Sequence, residues 1–255
     1  MRFIDSHTHT YFRSFEDLKQ MSSAGVEGLV VCSYFPVRPT GPSTLIDLYR
    51  WVIEGELARL NSCGIVGKAA VGIHPRSIPA SDVDAVLSHV ENLFETGQAS
   101  VLGEVGLEVA NELEVEVLAR QIRLAMEHDV AIVLHTPRKN KEEVFEKLVK
   151  IILKERVDPC RVIFDHLTPQ LIPRVKKIGA KAGITVQPGK LSEGDAVEIV
   201  KIFGSEDILI NSDLGNVPSD PSTLSRVARA MGEAGISEKD VERAVYLNAK
   251  SLLSF

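Results

Sequence analysis

Short apolar runs recur along the chain, separated by stretches whose apolar residues return every three or four positions. The runs are FID (3–5), GLVVCS (28–33), IVGKAAVGI (65–73), SVLGE (100–104), AIVLH (131–135), RVIFDH (161–166), GITVQ (183–187) and DILINSD (207–213). Nearly continuous apolar character over so few residues predicts strands covered on both faces. Between them, Val144, Leu148 and Ile151 align within EEVFEKLVKIILKE, and Val117, Ile122 and Met126 within VEVLARQIRLAMEH, as helices that bury one stripe. Thr168-Pro169 and Asp220-Pro221 join a capping side chain to a proline suited to the first helical position, and Ser192 with Asp195 and Ser237 with Asp240 have the spacing of capping boxes.

Strands that alternate with helices imply a parallel sheet. Eight of them in 255 residues favour closure into a TIM (β/α)8 barrel over an open doubly wound sheet. No shift in composition marks a second unit, so residues 1–255 are expected to form one domain. The most irregular stretch, YFPVRPTGPS (34–43), follows the second strand and therefore belongs at the C-terminal mouth, where barrel active sites form.

Composition narrows the function classes. Hydrophobic residues at 44% and charged residues at 25% are ordinary for a globular protein. A net charge of -6 argues against a protein that coats duplex DNA with a broad basic face, while leaving a local basic patch open. Cys32, Cys63 and Cys160 lack CxxC spacing and are odd in number, which suits free thiols in a reducing compartment. The first strand starts at once and no apolar run reaches the ~18 residues of a membrane span, so the cytoplasm is the expected location and no membrane partner is expected.

The polar residues carry the chemistry. Five of the seven histidines, His7, His9, His74, His135 and His166, fall at or just past a strand's C-terminal end, as do Glu104 and Asp213. His89 and His128 fall inside helical segments and are expected at the surface or its boundary. Strand alternation puts Asp5, His7 and His9 on one side, and pairs Glu104 with Leu102, His135 with Val133, His166 with Phe164 and Asp213 with Leu209. A lone HxH is often only a hydrogen-bonded pair. Four histidines and two carboxylates at one end of one barrel form a costly polar cluster unless a cation sits among them.

The motifs FIDSHTH, VGIHP, VLGEVGLE, AIVLHTPR, FDH, NSD and YLNAKSLL occur in the order seen in TatD-like metal-dependent hydrolases of the amidohydrolase superfamily, which the sequence resembles over nearly its whole length. The resemblance implies that His7 and His9 bind one divalent metal with Asp213, and that Glu104 bridges to a second metal completed by His135 and His166. It makes His74 a mouth residue near substrate, and Asn248 either a residue supporting the site or a helix cap. Asp5 is left as a supporting acid or a buried structural one. The sequence departs from the family at three places: Asn211 stands where TatD nucleases usually have glutamate, Thr136-Pro137 displaces an arginine to Arg138, and HLTPQ replaces the usual strand-six segment.

Imidazole and carboxylate donors suit zinc, with manganese or magnesium as alternatives in a carboxylate-bridged pair. Two cations about 3.5–4 Å apart would share and acidify a water. Asp213 would take its proton, and Arg138 or Lys139 would make a weak extra contact to a phosphodiester, although RKNK (138–141) reads slightly better as a solvated loop. GITVQPGKL is not a P-loop, because its glycines are too far apart and Leu191 follows the lysine; no GxSxG elbow appears. The expected function is a TatD-type hydrolase of phosphodiester bonds, DNA foremost, with Glu104 and Asp213 in the chemistry. The alternatives are hydrolysis of a small-molecule amide, lactone or phosphoester, and a non-catalytic metal-binding barrel.

Overall fold

The computed structural model describes residues 1–255. Eight parallel strands neighbour one another in chain order: β1 Phe3–Thr8, β2 Val26–Cys32, β3 Val66–Val71, β4 Val101–Gly106, β5 Ala131–His135, β6 Val162–Phe164, β7 Lys181–Thr185 and β8 Ile208–Asn211. The circle closes at the mouth. There Thr8 bridges Leu214 in parallel, His9 N–H donates to Leu214 O at 2.7 Å, and Asp213 N–H donates to His7 O at 3.0 Å. The expected TIM barrel is thus the observed architecture, and its seam lies between the first and last strands that carry candidate ligands.

The helices α1 Phe15–Ser23, α2 Ser43–Arg50, α3 Leu57–Ser62, α4 Val83–Glu95, α5 Glu112–Glu127, α6 Lys141–Glu155, α7 Ile172–Ile178, α8 Glu193–Phe203, α9 Thr223–Glu233, α10 Glu238–Glu242 and α11 Asn248–Leu253 cover the barrel. Along β5, residues from Ala131 to Leu134 are all buried, as expected of a strand with side chains on one face filling the barrel and on the other meeting helices. Val144, Phe145, Leu148 and Ile152 line the inner stripe of α6, and the Phe145 ring meets Phe164 of β6 edge-on at 5.3 Å. Truncating so enclosed a ring costs about 3–5 kcal/mol. Helix α5 buries Val117, Leu118, Ile122 and Ala125, whereas Met126 is exposed. At 100° per residue, Met126 lies opposite Val117, so the predicted stripe was rotated at its end.

Ser192 and Asp195 close both halves of the predicted capping box on α8, and Ser14 with Asp17 do the same on α1. Thr168 precedes a single 3-10 turn without a side-chain cap, and Asp220 receives the Ser222 N–H ahead of α9. No helix is long and apolar enough to cross a membrane.

Two strands stop short of the candidate ligand that closes their predicted run. β6 ends at Phe164 and β8 at Asn211, and His166 and Asp213 follow in left-handed backbone with φ of 57° and 46°. Strand alternation therefore does not aim these two side chains; a turn does. Such conformations cost about 1–3 kcal/mol each and cluster at sites of function.

Candidate metal centre

β1 presents His7 and His9 to the axis of the mouth. His7 Nδ1 lies 2.6 Å from Asp165 Oδ2 and His9 Nδ1 lies 2.7 Å from Cys32 O, both pure acceptors when Asp165 is ionised. Both Nδ1 atoms are thereby committed as donors. In the neutral rings the Nε2 lone pairs then face each other at 3.2 Å, an arrangement that a cation relieves.

Glu104 Oε2 lies 3.6 Å from each Nε2, and Asp213 Oδ1 lies 3.7 Å from His7 Nε2 and 3.3 Å from His9 Nε2. A tetrahedron with metal bonds of 2.0–2.2 Å has donor-to-donor edges of about 3.3–3.6 Å. His7, His9 and Glu104 are spaced to hold one divalent ion, and Asp213 Oδ1 lies within reach of both histidines. Glu104 turns its other oxygen elsewhere: Oε1 is 2.8 Å from His135 Nδ1 and 3.0 Å from His166 Nε2. One buried carboxylate thus divides its oxygens between two pairs of histidines. The second group is drawn in to hydrogen-bonding distance.

The electrostatics agree. Burial pushes the Glu104 carboxyl up, but His7, His135 and His74 outweigh it and hold the group well below its ordinary range. Burial disfavours the His7 cation, yet Cys32, Glu104 and Asp165 around it raise its pKa well above that of a free imidazole. A place that draws a proton so strongly draws cations in general. Burial and then the Lys190 ammonium lower His166 to about 4, which keeps it neutral and able to offer a lone pair.

The profile of the TatD-related DNase family matches residues 4–254. The chain belongs to that family. It is 32% identical over 248 residues to an uncharacterized metal-dependent hydrolase of Methanocaldococcus jannaschii, covering 97% of this chain and 98% of the relative. A TatD-like protein from Archaeoglobus fulgidus has a solved structure that superposes with a TM-score of 0.86 at 31% identity, covering 99% of this chain and 100% of that one. The phosphotriesterase homology protein of Escherichia coli, solved with phosphate in its active site, shares the fold at 13% identity and a TM-score of 0.74, covering 99% and 98%. This TatD-family chain is a metal-dependent hydrolase, and its His, Glu and Asp cluster is the candidate metal centre.

The remaining expected site residues fall into different places. In this TatD-family barrel His74 is buried beside Glu104, with Nε2 at 3.7 Å from Oε2, but its Nδ1 accepts the Arg76 N–H at 3.0 Å. A neutral ring in that tautomer carries its proton on Nε2 and has no lone pair there for an ion. Burial drives its pKa well down, so the ring stays neutral and is a hydrogen-bond donor. Asp5 accepts the N–H groups of His7 and Ser212 at 3.3 and 3.2 Å and meets Ser212 Oγ at 2.5 Å. It is a structural acid that pins β1 to the end of β8, not a wall of the centre.

Arg138 is exposed at the rim of the cavity above the centre, which has a volume of about 460 Å³. Asn248 is at the wrong end of the barrel for the supporting role: its Nδ2 donates to Ser205 O at 2.9 Å and Ile208 O at 2.7 Å, where β8 begins. There it locks α11 under the N-terminal face, far from the C-terminal mouth. His89 packs flat on Tyr49 with ring centroids 6.4 Å apart, and His128 has neighbours the sequence did not reveal, Glu91 and Glu95, at the surface.

Four side chains near the centre escaped the sequence reading. Asp165 holds His7. Glu108, in the loop after β4, approaches His135 Nε2 at 3.0 Å. Lys190 reaches in from the loop after β7 to place Nζ 2.5 Å from Asp213 Oδ2 and 3.0 Å from His166 Nδ1. Lys141 donates to Thr136 Oγ1 at 2.9 Å and His166 O at 2.6 Å, fastening the left-handed turn that aims His166. The two lysines do lie in segments the sequence had singled out, RKNK and QPGKL, but their inward direction depends on loop geometry.

Proposed function

We propose that this TatD-family hydrolase cleaves phosphodiester bonds, with DNA as its substrate. The observation that carries the reading is the division of Glu104 between His7 and His9 on one oxygen and His135 and His166 on the other, under a mouth rimmed by Arg76, Arg138, Lys141 and Lys190. That donor set suits one or two divalent ions, zinc first and manganese or magnesium next. When bound, such ions supply Lewis acidity and an acidified water at neutral pH.

The residues themselves bind and position. Arg138 and Arg76 offer charge to a phosphate from the rim, and His74, buried behind the cavity wall, turns its Nε2–H toward Glu104 Oε2 at 3.7 Å. Lys190 helps keep Asp213 ionised: burial raises that carboxyl, and the ammonium together with His9, His166 and His7 more than reverses it. An ionised Asp213 facing the cavity accepts the proton of an attacking water, and Glu104 holds the two histidine pairs in register. Free Cys32 and Cys63 and the exposed Cys160 support a reducing cytoplasm as the working compartment.

A second reading has its own support. A cavity of about 460 Å³ is the size of a small-molecule site, which typically spans about 300–1,000 Å³, and the net charge of -6 opposes broad contact with a polyanion. A small phosphoester or lactone is its substrate class. The test is hydrolysis by metal-reconstituted protein of single-stranded and duplex DNA, bis(p-nitrophenyl) phosphate and a panel of phosphomonoesters, lactones and amides. DNA cleavage that disappears in Glu104→Ala supports the nuclease; turnover of a small substrate with intact DNA replaces it with the second reading.

A further inference from the structure

The centre contains a carboxylate that neither binds an ion in the arrangement above nor touches the cavity, and it is fully buried: Asp165. Its Oδ2 receives His7 Nδ1 at 2.6 Å. Its Oδ1 receives the His166 N–H at 2.8 Å, Asn211 Nδ2 at 2.8 Å and Thr185 Oγ1 at 3.2 Å. The same Thr185 hydroxyl accepts from His166 Nδ1 at 2.8 Å. One acid therefore reaches a histidine of each pair, His7 directly and His166 through Thr185 and its own backbone.

Space has been kept for it. A Cβ on Gly183 of β7 would land on Asp165 Oδ1, so the neighbouring strand has no side chain where the carboxylate lies. Position 211 is coupled to this. The sequence has asparagine where TatD nucleases usually have glutamate, and here the amide donates to Asp165 while its Oδ1 is buried without a partner. A second carboxylate at 211 would face Asp165 in a dry enclosure, where two like charges cannot both stay ionised. Neutral Asn211 and charged Asp165 belong together.

We propose that Asp165, with Asn211 as its partner, is the positioning residue of the metal centre: it fixes the tautomer and direction of His7 and ties the two histidine pairs to one anchor. The inference rests on the reading of His7 as a metal ligand. In metal sites a carboxylate on the far nitrogen of a ligating imidazole sets its orientation and basicity, and its loss weakens affinity about 10–100-fold.

The test measures zinc and manganese affinity by chelator competition, and the His7 Nδ1–H resonance of the metal-free protein by NMR, for the wild type, Asp165→Asn and Asn211→Ala. Folded Asp165→Asn is expected to bind metal about 10–100-fold more weakly and to move the His7 Nδ1–H signal upfield. Asn211→Ala keeps the carboxylate and is expected to show the same changes in smaller degree. If Asp165→Asn does not fold, Asn211→Ala decides alone. Unchanged metal affinity, or an unchanged Nδ1–H signal in the folded variant, overturns the proposal. Wild-type protein that binds no metal would overturn the ligand reading instead, and the NMR signal would still judge the pairing of Asp165 with His7.

Discussion

Lys190 is the cation that meets the side chain of candidate ligand Asp213, and Lys190→Met removes it while keeping most of its bulk. Its Nζ lies 2.5 Å from Asp213 Oδ2, and the two side chains are only 12% and 13% exposed. Little solvent screens the pair. Coulomb's law at an effective dielectric of 20 gives about 4 kcal/mol for unit charges 4 Å apart. An opposite charge at this range commonly lowers a carboxyl by about 1–3 pH units, equivalent to about 1.4–4 kcal/mol. The two routes agree.

Burial alone would raise Asp213, and Lys190 is the largest of the groups that pull it down, ahead of His9, His166 and His7. The sign follows. Asp213 must be ionised both to hold a cation and to accept a proton. Lys190→Met raises its pKa, so function fails at a higher pH than in the wild type. The acid limb of the pH profile for metal binding is expected to move up by about 1–3 units, and the acid limb of kcat/KM to follow it. Metal binding is measured by calorimetry in buffers from pH 4 to pH 8, with Arg138→Ala as a rim variant that alters charge without touching Asp213. An acid limb that stays in place in Lys190→Met, or that moves down, refutes the coupling.

Three further outcomes follow from the same geometry. Burial pushes the Asp5 carboxyl from 3.8 up to about 7, so the fold favours its protonated form; the stability this gives is full below about pH 4 and is lost as the pH rises to 7. Denaturant titrations of metal-free protein should show Asp5→Asn escaping a loss of order 4 kcal/mol across that window, and parallel curves for the two proteins would contradict it. His74→Gln should lower kcat/KM while leaving metal affinity within about twofold, because its Nε2 carries a proton and offers no lone pair; a loss of metal by the variant would make His74 a ligand after all. Asn248→Ala should cost about 1–3 kcal/mol of stability by removing the two hydrogen bonds to the carbonyls of Ser205 and Ile208, with the activity of the remaining folded protein unchanged.

Much of this architecture was legible in the chain because barrel strands are covered on both faces and so appear as unbroken apolar runs. His7, His9, Glu104 and His135 stood out because each closes an apolar run in the sequence, and His7, Glu104 and His135 are indeed residues of β1, β4 and β5, although the register shifts between Asp5 and Thr8 and between Leu102 and Val105. His166 and Asp213 were recognised as polar residues past an apolar run, but the supposed reason, strand alternation, does not operate there. Both lie beyond the last strand residue and are aimed by left-handed backbone, fastened at His166 by Lys141 and at Asp213 by its N–H on His7 O. Asn248 misled in the opposite way: an asparagine opening a helix late in the chain has no sequence mark that tells the upper face of a barrel from the lower.

Asp165 shows why the supporting residues were the hardest to see. Period-two alternation sends neighbours to opposite faces, so a reading that aims His166 into the mouth must aim Asp165 out of it. Both reach the centre because the chain leaves β6 at Phe164 and turns before His166, which lets adjacent side chains converge on one carboxylate network. A weak signal existed one strand later. Gly183 opens the run GITVQ and lies inside β7, and a glycine inside a strand marks a place where another group comes close. The approaching group proves to be Asp165 Oδ1, and the absent Cβ at 183 is as much a part of the metal centre as the histidine it allows to be held.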